Sequence, residues 1–203
     1  MKVKICGLTE KDHVFTCVDN GSDFCGFILN YPKSHRQISF EKAKSLTNIE
    51  KKNTKFVGVL VNPKEEELKK FSSLNIDFFQ LYGNFSNRDL FEIKNKYRKK
   101  IIYTIQVKKK EDVEKYKFYQ DDADIILFDS SGYEKSLSWN FDWIKDIPIT
   151  KMVAGNINID MVEKIFSKVD IIDVSGALET NKVKDLKKIE SFLKKIKKIN
   201  NDT

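Results

Sequence analysis

Cys6 ends the apolar run Lys4-Ile5-Cys6 and is followed at once by Gly7. A thiol in that place is either a small buried hydrophobe or, where neighbouring charge lowers its pKa, a thiolate that can remove a proton. Asp129 ends Ile125-Ile126-Leu127-Phe128 in the same manner. It either caps the following turn or, partly withdrawn from water, keeps a proton and donates it. A base and an acid across one pocket are what an isomerase needs to move protons on one substrate. Arg36 closes the short segment Tyr31-Pro32-Lys33-Ser34-His35-Arg36, which Pro32 stiffens. Its guanidinium suits a planar carboxylate; the alternative is a solvated loop. Ala154-Gly155-Asn156 and Ser175-Gly176 end two later apolar runs. Backbone N–H groups at such turns can hold a phosphate, and ordinary turns are the competing reading.

Residue counts exclude other chemistry. Three cysteines, Cys6, Cys17 and Cys25, are odd in number and have neither CxxC nor metal-ligand spacing. A disulfide framework or a zinc site is therefore not expected, and Cys17 and Cys25 read as structural. Two histidines, His13 and His35, leave no basis for a His-based triad or a His-rich metal site.

These candidates need elements to position them. Eight short apolar runs qualify as strands: Lys2 to Leu8, Phe24 to Leu29, Phe56 to Val61, Phe78 to Gly83, Ile101 to Val107, Ile125 to Asp129, Thr150 to Gly155 and Ile171 to Ser175. Between most of them lies helical spacing, such as Val14, Cys17 and Val18, or Phe40, Ala43 and Leu46 after a candidate cap at Ser39. Leu68, Phe71 and Leu74 follow Pro63, which suits a first helical turn. The sixth unit offers only a short helix around Phe141 to Ile144. Leu186, Ile189, Leu193 and Ile196 form the final stripe. Strands that read as near-continuous apolar runs alternating with helices predict a parallel sheet, and eight units predict a closed (β/α)8 TIM barrel over residues 1–203. An open doubly wound sheet is the competitor, with fewer strands. In such a barrel the chemistry sits where strands end, which selects Cys6, Asn30 to Arg36, Asn62, Gln80 to Gly83, Gln106, Asp129, Gly155-Asn156 and Asp173 to Gly176.

The 203 residues hold 37 basic and 30 acidic side chains, a net charge of +7. The excess invites a nucleic-acid reading, but many lysines fall late in the chain: Lys182, Lys184, Lys187, Lys188, Lys194, Lys195, Lys197 and Lys198. They read as a solvated helix face, so no nucleic-acid partner is expected, although a basic background attracts anionic substrates. No apolar run is long enough to span a membrane and the N-terminus lacks a signal-peptide core, which predicts a cytoplasmic protein without a membrane partner.

Taken together, these residues resemble one family. Lys4-Ile5-Cys6-Gly7-Leu8-Thr9 looks like the opening signature of phosphoribosylanthranilate isomerase. Gly26-Phe27-Ile28, Tyr31-Pro32-Lys33-Ser34 with Arg36, Val57-Gly58-Val59, Gln80-Leu81-Tyr82-Gly83, Phe141-Asp142-Trp143, Ala154-Gly155, Asp173-Val174-Ser175 and Glu179 follow in order. The resemblance covers essentially the whole chain. It implies an Amadori rearrangement of N-(5-phosphoribosyl)anthranilate in tryptophan biosynthesis, with a phosphosugar as partner and without metal or cofactor. By similarity Asp129 would be the general acid that opens the ribose ring, and Cys6 the base that removes the C2′ proton. Arg36 would hold the anthranilate carboxylate, and Gln80, Tyr82 and Asp173 would complete the substrate-binding set. Gly155, Asn156, Ser175 and Gly176 would hold the phosphate through the backbone. A monomer and a homodimer are both compatible.

Four departures stand out. Tyr82 replaces the family's usual His, and Asn156 its usual second Gly. Gly176-Ala177 stands for the usual Ser-Gly, and Glu134 to Asn140 for a Gly-rich stretch, so a stiffer or reshaped sixth loop is expected. An altered substrate or reduced activity on a divergent phosphosugar-binding barrel is the alternative these changes raise. Asn156 tolerates a left-handed backbone, Ala177 less so.

Overall fold

The computed structural model describes residues 1–130 and 138–202. The eight expected strands are β1 (Lys2–Cys6), β2 (Phe24–Ile28), β3 (Lys55–Val61), β4 (Phe78–Tyr82), β5 (Lys100–Val107), β6 (Ile125–Ser130), β7 (Lys151–Val153) and β8 (Ile171–Val174). Each pairs in parallel with the next. β8 returns to β1 through Lys2↔Ile171 and Lys4↔Asp173, so the sheet closes as a (β/α)8 barrel.

Alternation along the strands builds two cores. Val3, Ile5, Cys25, Phe27, Phe56, Phe79, Leu81 and Phe128 face the helices, whereas Phe24, Val57, Phe78, Ile102, Ile125, Leu127, Met152 and Ile171 fill the bore. Phe24 and Phe78 meet edge to face at 5.7 Å. One step further along the same inward rows stand Lys4, Cys6, Gln80, Tyr82, Asp129 and Asp173. The bore is therefore hydrocarbon in its lower part and polar where the strands end.

The helices α1 (Lys11–Asp19), α2 (Phe40–Thr47), α3 (Glu65–Ser72) and α4 (Asn87–Tyr97) follow the first four strands. Ser39 and Ser86 cap α2 and α4 by accepting from the N–H groups of Lys42 and Asp89. Pro63 lies before α3 rather than in its first turn, because Lys64 is the N-cap residue and Glu65 to Glu67 supply the favourable charge there. The later units shrink. A 3-10 turn (Lys110–Lys115) runs into α5 (Tyr116–Tyr119), the sixth unit has only the 3-10 turn Phe141–Ile144, and Asn158 caps a turn that leads into α6 (Val162–Ile165). A hairpin of β9 (Glu179–Thr180) and β10 (Val183–Lys184), not foreseen from the sequence, turns through Asn181 and Lys182 at φ of 51° and 64°. The chain then enters α7 (Leu186–Asn201), which buries Ile189, Phe192, Leu193 and Ile196. Leu186, expected on that stripe, stands exposed at the first helical position. Among the described residues no helix is long and apolar enough to cross a membrane.

Candidate active site

A cavity of about 330 Å³ opens at the strand ends. Cys6, Arg36, Gln80, Tyr82, Asp129, Gly155, Asn156, Asp173, Ser175 and Gly176, which are all ten candidates, line it. Asn62 and Gln106, which also end strands, do not. Asn30 is structural: its side chain accepts from the Val61 N–H at 2.7 Å and donates to the Val61 carbonyl at 3.1 Å.

Asp129 is held from two sides. The Tyr82 hydroxyl donates to its Oδ2 at 2.8 Å, and the Ser130 N–H donates to Oδ1 at 2.7 Å. Gln80 Nε2 in turn donates to the Tyr82 oxygen at 3.2 Å. Burial raises the carboxyl to about 6 even though the Tyr82 hydrogen bond stabilises its ionised form. A carboxyl poised there can give up a proton near neutral pH. Burial, followed by the adjacent Asp129 charge, pushes the Tyr82 phenol well above its usual range, so the phenol stays a donor.

Cys6 sits on β1 with 8% exposure, its sulfur over Gly26 of β2. A methyl group on Gly26 would stand 2.7 Å from the sulfur and 3.1 Å from Lys4 Nζ, so glycine is what makes room for both. Lys4 points into the bore with no exposure and donates to Asp173 Oδ2 at 2.7 Å. Burial raises the Cys6 thiol, while the Lys4 ammonium pulls it back. Sequence reasoning assigned Lys4 no role. A lysine at an inward position of an apolar strand was the signal, since a charge is almost never fully buried unless it is paired.

The eighth loop forms a charged hub. Glu179 receives Arg36 Nε at 2.5 Å and Nη2 at 2.9 Å, and Lys184 Nζ at 2.6 Å. Burial opposes the ionised carboxylate, but the Arg36 and Lys184 hydrogen bonds outweigh it and hold Glu179 down at about 2. Lys184 also donates to the carbonyl and hydroxyl of Ser175 at 3.1 and 3.2 Å. Lys184 thus leaves the solvated lysine face on which its sequence neighbourhood put it: it is 5% exposed, because it precedes α7 on β10 and points under the loop. The Ser175 hydroxyl donates to the Cys6 carbonyl at 2.9 Å and so locks β8 to β1. Arg36 lies across Gly7, whose φ of 78° and lack of a Cβ permit that approach.

Gly155 and Asn156 take φ of 116° and 50°, so Asn156 adopts the left-handed backbone that its side chain tolerates. Asn156 Nδ2 donates to Ser138 Oγ at 3.1 Å. Ala177 lies in a 3-10 turn (Gly176–Leu178) without positive φ, which removes the strain its identity suggested. Glu134 to Leu137 of the sixth loop lie outside the described residues. At the end of that loop, Trp139 Nε1 donates to the Ala154 carbonyl at 2.8 Å. Among the described residues no three His, Cys, Asp or Glu side chains cluster as metal ligands.

A family model described as N-(5'-phosphoribosyl)anthranilate (PRA) isomerase matches residues 3–195. The chain belongs to the PRA isomerase family. Membership carries the activity: isomerisation of N-(5'-phosphoribosyl)anthranilate in tryptophan biosynthesis. Among similar proteins, the Thermoanaerobacter pseudethanolicus PRA isomerase is 34% identical over 208 residues, covering 98% of this chain and 99% of that protein. A structure described as monomers generated from the dimeric Thermotoga maritima PRA isomerase superposes with a TM-score of 0.85 at 27% identity, covering 98% and 99% of the two chains. A PRA isomerase bound to reduced 1-(o-carboxyphenylamino)-1-deoxyribulose 5-phosphate gives 0.84 at 28% identity with the same coverage.

Proposed function

We propose that Cys6 and Asp129 divide the proton transfers of the PRA isomerase reaction between them. The observation carrying this is that a thiol from β1 and a carboxyl from β6 line one cavity together with a guanidinium. Asp129 gives its proton to the ribose ring oxygen, the C1′–O bond breaks, and a protonated Schiff base forms with the anilino nitrogen. The Cys6 thiolate then takes the C2′ proton, and its electron pair neutralises the iminium to give an enolamine. Protonation at C1′ with loss of the 2′-hydroxyl proton yields the ketone and restores both groups. No electrons leave the substrate.

Arg36 keeps Nη1 free of Glu179, which suits it to the anthranilate carboxylate. Gln80, Tyr82 and Asp173 complete the binding wall. The backbone at Gly155, Asn156, Ser175 and Gly176 takes the phosphate, where the positive charges of Arg36 and Lys184 add attraction. The Ser175 hydroxyl is already engaged, so its contribution is its backbone. A cytoplasmic setting belongs to the same proposal.

The test is turnover followed by anthranilate fluorescence. Cys6→Ala and Asp129→Asn should each lower kcat by about 10²–10⁴-fold. Affinity for the reduced product analogue should stay within a few fold. Either variant turning over at a tenth of the wild-type rate or faster would remove that residue from the mechanism.

A further inference from the structure

We propose that Lys4 is a positioning residue of the reaction: its ammonium, clamped by Asp173, is the built-in countercharge that stabilises Cys6 as a thiolate. This rests on Cys6 being the base. A thiol inside a barrel is a poor base, because burial disfavours the charged form. A cation beside the sulfur is the direct remedy, and β1 supplies one two residues earlier on the same inward row. Both Lys4 Nζ and Cys6 Sγ lie within 3.1 Å of the point that a Gly26 side chain would occupy. The bond from Lys4 Nζ to Asp173 Oδ2, 2.7 Å, fixes where the charge stands.

The arrangement answers a difficulty in burying a lysine. A fully withdrawn ammonium is costly even when paired, and replacing such a pair with hydrocarbon is often neutral or stabilising. The neighbouring inward positions on β2, β3, β6 and β7 are Phe24, Val57, Leu127 and Met152, so a hydrocarbon solution was at hand. Stability alone does not explain Lys4; a neighbour that becomes negative during turnover does. Among the described residues, the other titratable groups around Cys6 are Asp173 from β8, Lys184 from β10 and Cys25 from β2, with Tyr82 and Asp129 on the far wall and Tyr31, Arg36 and Glu179 towards the rim. Asp173 and Asp129 oppose the thiolate, Lys184 is committed to Glu179 and Ser175, and Arg36 to Glu179. Lys4 is the cation whose carboxylate partner leaves it directed at the sulfur as well, and each of the pair raises or lowers the other in the expected sense.

The experiment measures Cys6 alkylation by iodoacetamide against pH, with Cys6→Ala as the blank for Cys17 and Cys25. In Lys4→Gln the amide can still donate to Asp173, but the charge is gone. The alkylation midpoint should rise by about one unit or more. kcat/KM at neutral pH should fall about tenfold per unit, with affinity for the reduced product analogue nearly unchanged. Lys4→Arg, which keeps the charge, should move the midpoint much less. A midpoint unmoved in folded Lys4→Gln overturns the proposal, as does an equal shift in both variants, which would mark packing alone. Should Lys4→Gln not fold, the double variant Lys4→Met with Asp173→Asn, which removes both charges of the pair, provides the second measurement. Its Cys6 midpoint should lie above that of Asp173→Asn alone, and a midpoint no higher overturns the proposal. Because alkylation does not depend on turnover, these outcomes are separate from the case in which Cys6→Ala stays active and Cys6 is not the base.

Discussion

Removing the Tyr82 hydroxyl tests the site through a group that never needs to touch the reacting carbon. Asp129 titrates near 6, and burial raises Cys6 above its ordinary value of 9.0. The acid therefore loses its proton before the base does. The form that the proposed mechanism requires, with Asp129 protonated and Cys6 ionised, is a minority at every pH. Its population climbs until Asp129 begins to ionise, stays level, and falls once Cys6 is ionised. In kcat/KM the acid limb thus belongs to the carboxyl and the alkaline limb to the thiol, the reverse of the usual reading. Tyr82→Phe deletes the 2.8 Å bond to Oδ2. A hydrogen bond to a charged group contributes about 1.5–3 kcal/mol, and each 1.36 kcal/mol is one pKa unit, so the carboxyl should rise by about one to two units. Water entering the vacated space would bring the shift to the lower end. The acid limb should therefore move from about 6 to about 7 or above. The plateau should change less, because the larger productive population is offset by a weaker acid. The assay is the full pH profile of kcat/KM by anthranilate fluorescence. The substrate phosphate also titrates near 6, but equally for both proteins, so the difference between profiles isolates the enzyme. An acid limb that stays in place, or moves down, refutes the role given to Tyr82. Tyr82→His, which keeps a donor, should restore the limb.

Two further outcomes follow from the geometry. Gly26→Ala puts a methyl group 2.7 Å from the Cys6 sulfur and 3.2 Å from its Cα. It should cost about 1–3 kcal/mol in urea unfolding and about 10²-fold in kcat, because a displacement near 1 Å at a reacting group is enough; near-wild-type turnover would show that the sulfur is not held there for catalysis. Glu179 is depressed from 4.5 to about 2. A depressed carboxyl contributes stability that is complete above its unfolded pKa and is lost as pH falls through the folded one, here between about 4.5 and 2. That contribution is at most about 3 kcal/mol. Glu179→Gln should be clearly less stable than wild type at pH 7, with the gap more than halved at pH 3 and closing only near pH 2, and a gap in urea midpoints that is the same at pH 7 and pH 3 would contradict the charged hub.

The barrel was legible because its signal is physical and local. Strands buried on both faces must be almost wholly apolar, and runs such as Phe56 to Val61 or Ile125 to Phe128 have few other uses. The short sixth unit was correspondingly faint, since a 3-10 turn such as Phe141–Ile144 gives no helical stripe to read. The candidate residues came from the fold, through the rule that barrel chemistry gathers at strand ends, and the resemblance gave them roles. What escaped was pairwise. Lys184 carries the same residue type as the exposed lysines around it. Only the hairpin, set by two left-handed residues at Asn181 and Lys182, turns it beneath the loop. Lys4 lies 169 positions from Asp173, and nothing in either neighbourhood names the other. Closure of β8 on β1 brings them into register.

That closure bears on how the site works. Under the proposed mechanism proton transfer needs a thiolate and a protonated carboxyl in one cavity, and water-like surroundings would give the opposite: a thiol and a carboxylate. The fold corrects each group chiefly through a different neighbour. Burial moves Asp129 toward its protonated form, with Tyr82 and Ser130 limiting how far it goes. The same burial moves Cys6 the wrong way and is countered from the β1–β8 seam by Lys4. The two corrections come from different walls of the barrel: Tyr82 on β4 bonds across to Asp129 on β6, and Lys4 on β1 pairs with Asp173 on β8. Each acts chiefly on its own group, although the Lys4 charge also lowers Asp129. A double variant of Tyr82→Phe and Lys4→Gln should place the Cys6 alkylation midpoint where the second alone does and the acid limb somewhat above where the first alone does, because losing the Lys4 charge also raises Asp129. Strong non-additivity in either would mean that the acid and the base titrate as one coupled unit, and the separate assignment of the two limbs would have to be abandoned.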